Sequence, residues 1–286
     1  MTAIELIIDP RERQVGSSTV QRLLPFHKRR MVGPFIFLDR MGPEAVAAGT
    51  RMDIDAHPHI GLSTLTYLFR GRLVHRDSTG AVQTIEPGAV NWMTAGAGVC
   101  HTERSHPDDV AVPSEHHGLQ LWVALPDGAE DGLPSFQHQP AEAIPAERVG
   151  GAEVRVAAGT GWGLTSPVRP SSPLVLAELA LDDGAVAIEA AHPERAVLAI
   201  DDDLLLGGER LPAGRLAVLE RGAAPELRGR GRAVVIGGEP VGPRHIWWNF
   251  VHSDPEQIEH AKAAWSSQQF PLVPGDHDPW VPLPAS

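Results

Sequence analysis

The segment His57-Pro-His-Ile-Gly-Leu-Ser-Thr-Leu-Thr-Tyr-Leu68 places a His-x-His pair directly before a run of residues that favour β-strands. A second pair with the same spacing, His101-Thr-Glu103, follows further along the chain. Because side chains at positions i and i+2 lie on the same face of a strand, each pair would present two metal-binding groups to one side. If the two strands are neighbours, three imidazoles and one carboxylate meet at a single point.

These side chains are suited to a first-row metal. Imidazole nitrogen binds iron, copper, nickel and zinc, and a carboxylate adds a hard oxygen ligand. A closed structural zinc site prefers thiolates, and the chain has one cysteine, Cys100, which the strand alternation turns away from His101 and which we interpret as a packed thiol. Three histidines and one carboxylate around an octahedral metal leave two positions open, as in non-haem iron oxygenases.

Turn residues break the chain into short segments of β-forming residues. The 29 glycines and 26 prolines favour many turns over long helices. Turn signals recur about every 8–12 residues, a spacing typical of an all-β sandwich or barrel. A Pro-, Gly- and Ala-rich stretch over 126–152 is followed by a second half with the same rhythm but no His-x-His or His-x-Glu pair. We therefore predict a duplicated barrel in which only the N-terminal copy keeps metal ligands.

The end of the chain has a different pattern. Ser253-Asp-Pro-Glu256 has the form of a capping box, and Ile258, Ala261 and Trp265 follow at helical spacing, which predicts one short amphipathic helix over 254–267. The Pro-rich residues 270–286 are expected to form an extended tail. The predicted organisation is a metal-binding barrel (1–130), a linker (131–152), a degenerate barrel (153–240), and a helix and tail that pack on the body (241–286).

Composition narrows the classes of partner. The formal net charge of −12 argues against direct binding of nucleic acid or an anionic membrane. Arg228-Gly-Arg-Gly-Arg232 has no interleaved aromatic residue and is interpreted as a solvated turn between strands. The N-terminal residues lack a secretory pattern, and no apolar run approaches the roughly 20 residues of a membrane span. With a single cysteine, these features lead us to expect a cytoplasmic protein.

Several segments of the first half resemble the pirin family. They are the quoted segment 57–68, His75-Arg-Asp-Ser78, the segment 85–98 with its Glu-Pro-Gly turn, His101-Thr-Glu103, and His117-Gly-Leu-Gln-Leu-Trp-Val123. The resemblance covers roughly residues 13–125, and the second half fits the family layout with less distinctive residues. Pirins are tandem cupins, so the resemblance implies an all-β fold of two jelly-roll-type barrels.

The resemblance also implies a mononuclear iron site in the first barrel. The family's ligand positions fall on His57, His59, His101 and Glu103. Many pirins carry a glutamate four residues after the second histidine, where this chain has Ser63, a departure that would change the polarity of the pocket without removing the metal. Fe(II) is the expected ion, although the same ligands accept Mn, Co, Ni, Cu or Zn. Four intact ligands argue against a metal-free relic.

Two functions remain open from this resemblance. Some pirins cleave flavonols such as quercetin as 2,3-dioxygenases, which implies a small phenolic substrate, dioxygen, and Glu103 as the base that takes the 3-hydroxyl proton. The alternative is a non-enzymatic, metal-dependent regulator that binds a transcription factor or a metabolic enzyme. An open, apolar cavity above the metal, large enough for a three-ring ligand, would favour the dioxygenase, and a closed or polar pocket with a large exposed charged patch would favour the regulator.

Other residues have weaker assignments. Phe37, Trp92, Met93 and Gln120 are candidate walls of a substrate pocket, and core packing explains them equally well. His75 and Asp77 flank a turn and are interpreted first as a hydrogen bond at the end of a strand. The unpaired histidines of the second half are expected at the surface; they are His192, His245, His252, His260 and His277.

Overall fold

The structure is a computed structural model that describes residues 3–16 and 18–284. The chain divides into two compact units. Unit 1 contains residues 3–13, 21–40 and 139–240, and unit 2 contains residues 14–16, 18–20, 41–138 and 241–284. The units interleave along the chain, and the domain boundaries predicted from sequence stay a prediction.

Strands dominate both units, which confirms the predicted all-β class. In chain order the strands are β1 (Ile4–Ile8), β2 (Arg11–Val15), β3 (Ser18–Leu24), β4 (Phe35–Val46), β5 (Ile54–His59), β6 (Leu62–Arg70), β7 (Leu73–Asp77), β8 (Val82–Ile85), β9 (Val90–Thr94), β10 (Val99–Ser105), β11 (Ser114–Ala124), β12 (Ser135–Gln139), β13 (Ala146–Val149), β14 (Ala152–Gly161), β15 (Leu164–Thr165), β16 (Leu174–Ala187), β17 (Glu194–Ala199), β18 (Leu204–Leu206), β19 (Glu209–Leu211), β20 (Leu216–Leu219), β21 (Glu226–Gly238), β22 (His245–Trp247) and β23 (Phe250–His252). The helical segments are α1 (Pro107–Ala111), α2 (Pro255–Ser266) and a 3-10 turn (Ala141–Ala143).

Unit 1 is built on a ten-stranded sheet. Its main path runs β1-β20-β17-β21-β16-β14-β13, and its core consists of Val, Leu, Ile and Ala side chains. The segment expected to be a turn, residues 228–232, lies instead inside β21, paired antiparallel with β16. Its arginines are balanced by acidic residues, since Arg230 contacts Asp183 and Arg232 contacts Glu178. These arginines of β21 therefore have acidic partners on the neighbouring strand.

Unit 2 holds the quoted segment. A four-stranded sheet has the order β5-β10-β7-β8, and a seven-stranded sheet has the order β12-β9-β6-β11-β4-β3-β2, with β2 to β4 contributing residues to both units. The first sheet touches the second where Glu103 accepts a hydrogen bond from Thr66 and where the rings of His59 and Trp122 meet edge to face. The space between these sheets contains the candidate ligands His57, His59, His101 and Glu103.

The two strands that carry the candidate ligands are neighbours. Strand β10 lies between β5 and β7, with His101 opposite His57 on one side and opposite Asp77 on the other. His101 and Glu103 point between the sheets. The alternate residues point outwards: Thr102 donates to Asp276, and Cys100 packs among apolar residues of the C-terminal segment. This is the arrangement that a two-residue period predicts.

The predicted C-terminal helix is confirmed, and its cap differs from the prediction. Helix α2 buries Ile258, Ala261 and Trp265, the three residues identified by their spacing. Asp254 rather than Ser253 is the N-cap, because its carboxylate accepts from the Glu256 amide while the Ser253 hydroxyl is bound to Glu130. Neither described α-helix is long and apolar enough to cross a membrane.

The segments expected to be a linker and an extended tail contain some regular structure. The expected linker, residues 131–152, includes β12, the 3-10 turn and β13. Residues 270–284 contain turns and a bridge from Trp280 to Ala56. The extended Pro-rich tail over 270–286 stays a prediction, and residues 285–286 lie outside the described part of the chain.

Candidate metal centre

Three buried histidines converge between the two sheets of unit 2. His57 and His59 come from β5 and His101 from β10, and candidate donor atoms of the three lie within 4.8 Å of one another. The Nε2 atoms of His59 and His101 are 3.1 Å apart, and the ring centroids of His57 and His101 are 4.2 Å apart. The quoted His-x-His pair and the first residue of the second pair thus form one cluster.

Each of these imidazoles is held through its Nδ1 atom. The Nδ1 of His57 lies 2.8 Å from the carbonyl oxygen of Asp55, and the Nδ1 of His59 lies 3.2 Å from that of Asn249. A carbonyl oxygen only accepts, so both rings carry their proton on Nδ1 and present a lone pair at Nε2. The Nδ1 of His101 lies 3.3 Å from the Nδ1 of His75.

The cluster fits a metal ion. His59 presents a lone pair at Nε2, and if His101 is likewise protonated on Nδ1, two buried lone pairs face each other across the 3.1 Å between the two Nε2 atoms, an arrangement that a cation between them relieves. Two nitrogens bound at right angles to one ion, each at about 2.1 Å, are separated by about 3.0 Å. The donor chemistry and the spacing both match adjacent ligands of one metal.

The electrostatics of the cluster keep the rings in the form that binds metal. Burial lowers the pKa of His57, and burial together with the neighbouring histidines lowers the pKa values of His59 and His101 well below the ordinary range. Neutral imidazole is the metal-binding form of histidine. Protonation therefore does not compete with a metal at neutral pH.

Glu103 faces the same space as the histidines and belongs to a separate hydrogen-bonded chain. Its carboxylate accepts from the Thr66 hydroxyl at 2.9 Å, and that hydroxyl lies 2.7 Å from the Gln120 side-chain oxygen. A hydroxyl has one proton to donate, so exchanging the amide oxygen and nitrogen of Gln120 satisfies all three groups: Gln120 donates to Thr66, and Thr66 donates to Glu103. The role of Glu103 as a fourth ligand stays a prediction.

His75 and Asp77 make the predicted hydrogen bond, and their position adds a contact to the cluster. The Nε2 of His75 lies 2.9 Å from Oδ2 of Asp77, while its Nδ1 faces His101. The other carboxylate oxygen of Asp77 accepts from the amide and hydroxyl of Thr79 and from the amide of Ala81. Burial opposes the charged form, but the hydrogen bonds from His75 and Thr79 outweigh it and lower the pKa of Asp77.

The glycine of the quoted segment has a steric role. Gly61 has φ +66°, and a Cβ atom there would lie 1.9 Å from the carbonyl oxygen of Val251. The close approach brings the loop that follows β22 beside β5, where the Asn249 carbonyl reaches His59. A residue with a side chain at this position would separate the two backbones.

A small apolar cavity of about 40 Å³ reaches Glu103. Its walls include Val20, Met41, Met52 and Ile54. Sequence reasoning missed these residues, because they come from separate segments without a shared motif.

None of the four predicted pocket residues is among the residues that line this cavity. Trp92 and Met93 are buried, Gln120 contacts Thr66, and Phe37 belongs to unit 1, where the Arg22 guanidinium lies 4.4 Å from its ring centre. Their role as pocket walls stays a prediction. Of the histidines expected at the surface, His192 and His252 are buried instead, because each makes polar contacts inside its own unit.

Cys100 is expected to resist thiol reagents in the folded protein. It is fully buried, and burial raises the pKa of its thiol to about 12, so almost no reactive thiolate forms at pH 8. An Ellman assay should detect no fast-reacting thiol in the native protein and one thiol per chain in guanidinium chloride. Rapid labelling under native conditions would contradict this burial.

Comparisons with known proteins match both halves of the chain. A family model described as Pirin matches residues 17–123, and one described as Pirin C-terminal cupin domain matches residues 176–271. A pirin-like protein of Caulobacter vibrioides is 44% identical over 292 residues, covering 98% of this chain and 99% of that protein. A Pseudomonas aeruginosa protein provisionally named quercetin 2,3-dioxygenase is 39% identical over 256 residues, covering 87% of this chain and 79% of its own length.

The fold is shared with a solved structure. A crystal structure described as quercetin 2,3-dioxygenase from Acinetobacter baumannii superposes with a TM-score of 0.91 at 33% identity, covering 98% of this chain and 95% of that one. Together with the two family matches, this likeness confirms the predicted fold of two tandem cupins.

Proposed function

The chain belongs to the pirin family of tandem cupins, and on that premise we propose that it is a metal-dependent dioxygenase that opens the heterocyclic ring of a flavonol or a related phenol. The observation that carries the proposal is the convergence of three buried imidazoles beside Glu103, which also lines an apolar cavity. The relatives named as quercetin 2,3-dioxygenases support this reaction class.

We propose Fe(II) as the ion, held by His57, His59, His101 and Glu103. The same donors accept other divalent first-row metals, so the choice of iron rests on the reaction rather than on the ligand set. When bound, the metal supplies Lewis acidity and one-electron chemistry toward dioxygen.

The remaining steps belong to the protein side chains. Glu103 takes the proton of the phenolic hydroxyl on the carboxylate oxygen that Thr66 does not occupy. The chain from Gln120 through Thr66 holds the carboxylate in place, so the base meets the substrate without a search of rotamers. The apolar walls of the cavity pack against the substrate ring and exclude water.

A non-enzymatic regulatory role is the second candidate, and the size of the cavity favours it. A volume of about 40 Å³ has room for roughly three water molecules, which is less than a three-ring flavonol needs. Catalysis on quercetin therefore requires the wall formed by Val20, Met41 and Met52 to move outwards. In the regulatory alternative the cavity keeps its small volume, and the metal changes a surface that meets a protein partner.

Turnover of quercetin tests the proposal directly. Iron-loaded protein is expected to bleach the flavonol absorbance while consuming dioxygen in equal amount. Glu103→Gln, assayed at saturating metal, is expected to lower kcat by a factor of roughly 10²–10⁴, the range of a lost general base. Gln120→Ala is the milder comparison because it removes only support for Glu103. Full activity of Glu103→Gln would refute the base assignment, and iron-loaded protein that turns over no flavonol would refute the dioxygenase.

A further inference from the structure

His101 differs from the other two histidines of the cluster in how its outer nitrogen is held. His57 and His59 are oriented by backbone carbonyls, whereas His101 is oriented by another imidazole, that of His75. His75 is in turn bound to the buried carboxylate of Asp77. A line of hydrogen-bonded side chains therefore runs from the buried carboxylate of Asp77 to the histidine cluster.

The positions of the protons along this line follow from its ends. The carboxylate of Asp77 accepts, so the proton of neutral His75 lies on Nε2 and its Nδ1 carries a lone pair. A hydrogen bond across the 3.3 Å between the two Nδ1 atoms then needs the proton of His101. His101 is thereby left with a lone pair on Nε2, the atom that faces His59.

The surroundings hold this line in one arrangement. Asp77 is fully buried, and its Oδ1 is fixed by Thr79 and Ala81, which leaves Oδ2 for His75. The ring of Phe136 stacks on the ring of His75 at 4.7 Å between centroids and 20° between planes. Because β7 is paired with β10, Asp77 lies opposite His101 in the sheet. A flip of the His75 ring would break both of its hydrogen bonds.

We propose that Asp77 and His75 form a positioning relay, which fixes the tautomer and the ring orientation of His101 and makes it a stronger metal donor than a histidine held by a carbonyl alone. The relay rests on the proposed metal site and is independent of the substrate. Hydrogen bonds that end on a carboxylate increase the basicity of a ligating imidazole, and their removal typically lowers metal affinity by about 10–100-fold.

The sharpest test is Asp77→Asn. The amide retains an oxygen for Thr79 and Ala81 and presents an N–H to His75, which reverses the hydrogen bond and moves the His75 proton to Nδ1. Two N–H groups then face each other between His75 and His101. Zinc is a suitable probe because it is diamagnetic: competition with a chelator gives its affinity, and ¹⁵N NMR of labelled imidazoles gives the tautomers.

We expect wild-type zinc protein to carry the proton of His75 on Nε2 and that of His101 on Nδ1, and Asp77→Asn to bind zinc about 10–100-fold more weakly. Thr79→Val is the matched control, because it removes a different hydrogen bond to the same carboxylate and is expected to change the affinity by less than about threefold. His75→Phe keeps an aromatic ring against Phe136 and should weaken binding as Asp77→Asn does. His75→Gln should restore part of the affinity, since its oxygen can accept from His101.

The outcomes separate the relay from the metal site. Wild-type zinc affinity in both Asp77→Asn and His75→Phe would overturn the relay, as would a His75 proton on Nδ1 in the wild type. Equal losses in Asp77→Asn and Thr79→Val would also overturn it, because they would indicate only a damaged turn. A wild-type protein that binds no zinc, iron or cobalt would overturn the metal site itself. Unfolding curves of the metal-free variants establish that each one is folded.

Discussion

Replacing His59 with alanine is expected to lower metal affinity by a factor of more than about 100. Binding of a metal to four protein ligands contributes about 10–16 kcal/mol in structural zinc sites, or roughly 3 kcal/mol for each ligand. His59 is almost fully buried and its Nε2 lies 3.1 Å from that of His101, so the substitution removes a donor from the interior of the cluster. The loss should appear in metal titrations and as a metal-free protein after purification.

The same substitution should remove the stabilisation that metal gives to the fold. A metal present at 100 times its dissociation constant raises the free energy of unfolding by about 2.7 kcal/mol. We expect added metal to raise the unfolding temperature of the wild type and leave that of His59→Ala unchanged. His117→Ala is the matched control: it removes another buried imidazole of unit 2, outside the cluster, and should keep the metal response. A normal metal response in His59→Ala would contradict the site.

Glu130→Ala is expected to destabilise the metal-free protein by about 3 kcal/mol. Its carboxylate lies 2.9 Å from the Arg244 guanidinium, and both side chains are almost completely buried. Removing one partner leaves a buried charge without its counterion, at a cost of about 3–5 kcal/mol. Because Arg244 keeps contacts with the Leu125 carbonyl and with Asp127, the low end of that range applies. Urea denaturation measures the change.

The Glu130→Ala substitution should also lower the affinity for metal. Glu130 also accepts from the amide and the hydroxyl of Ser253, which follows the loop whose Asn249 carbonyl orients His59. Metal affinity should therefore fall together with stability. Asp127→Ala is the control, because Asp127 contacts the same arginine but is 83% exposed, and its loss should cost less than about 1 kcal/mol. Similar denaturation midpoints for the two variants would contradict a buried ion pair.

Much of the fold was predictable from the sequence because its signals are local. Alternation and turn residues indicate strands wherever one face is buried, and the repeated rhythm predicts the duplicated barrel. The spacing of Ile258, Ala261 and Trp265 identifies the helix for the same reason. Its cap was assigned wrongly because Ser253 had a distant partner, Glu130, that the capping pattern does not contain.

For the candidate site, the sequence predicted which side chains share a strand face but not their protonation or the cavity beside them. Spacing alone pairs His57 with His59 and His101 with Glu103, since i and i+2 share a strand face whatever the rest of the chain does. It does not show which side-chain nitrogen is free, what the cavity wall is made of, or how large the cavity is. Val20, Met41 and Met52 line the cavity from separate segments of the chain, and no sequence pattern joins them.

The sequence by itself determined the strand-rich fold, the two ligand pairs and the turn glycines that allow close backbone approach. Only the tertiary structure decided that His57, His59 and His101 meet, that the Asn249 carbonyl contacts His59, and that Asp77 reaches His101 through His75. The reason is physical. Strand alternation depends on neighbouring residues, whereas a hydrogen bond between distant segments depends on the register and packing of strands, which the whole chain sets together.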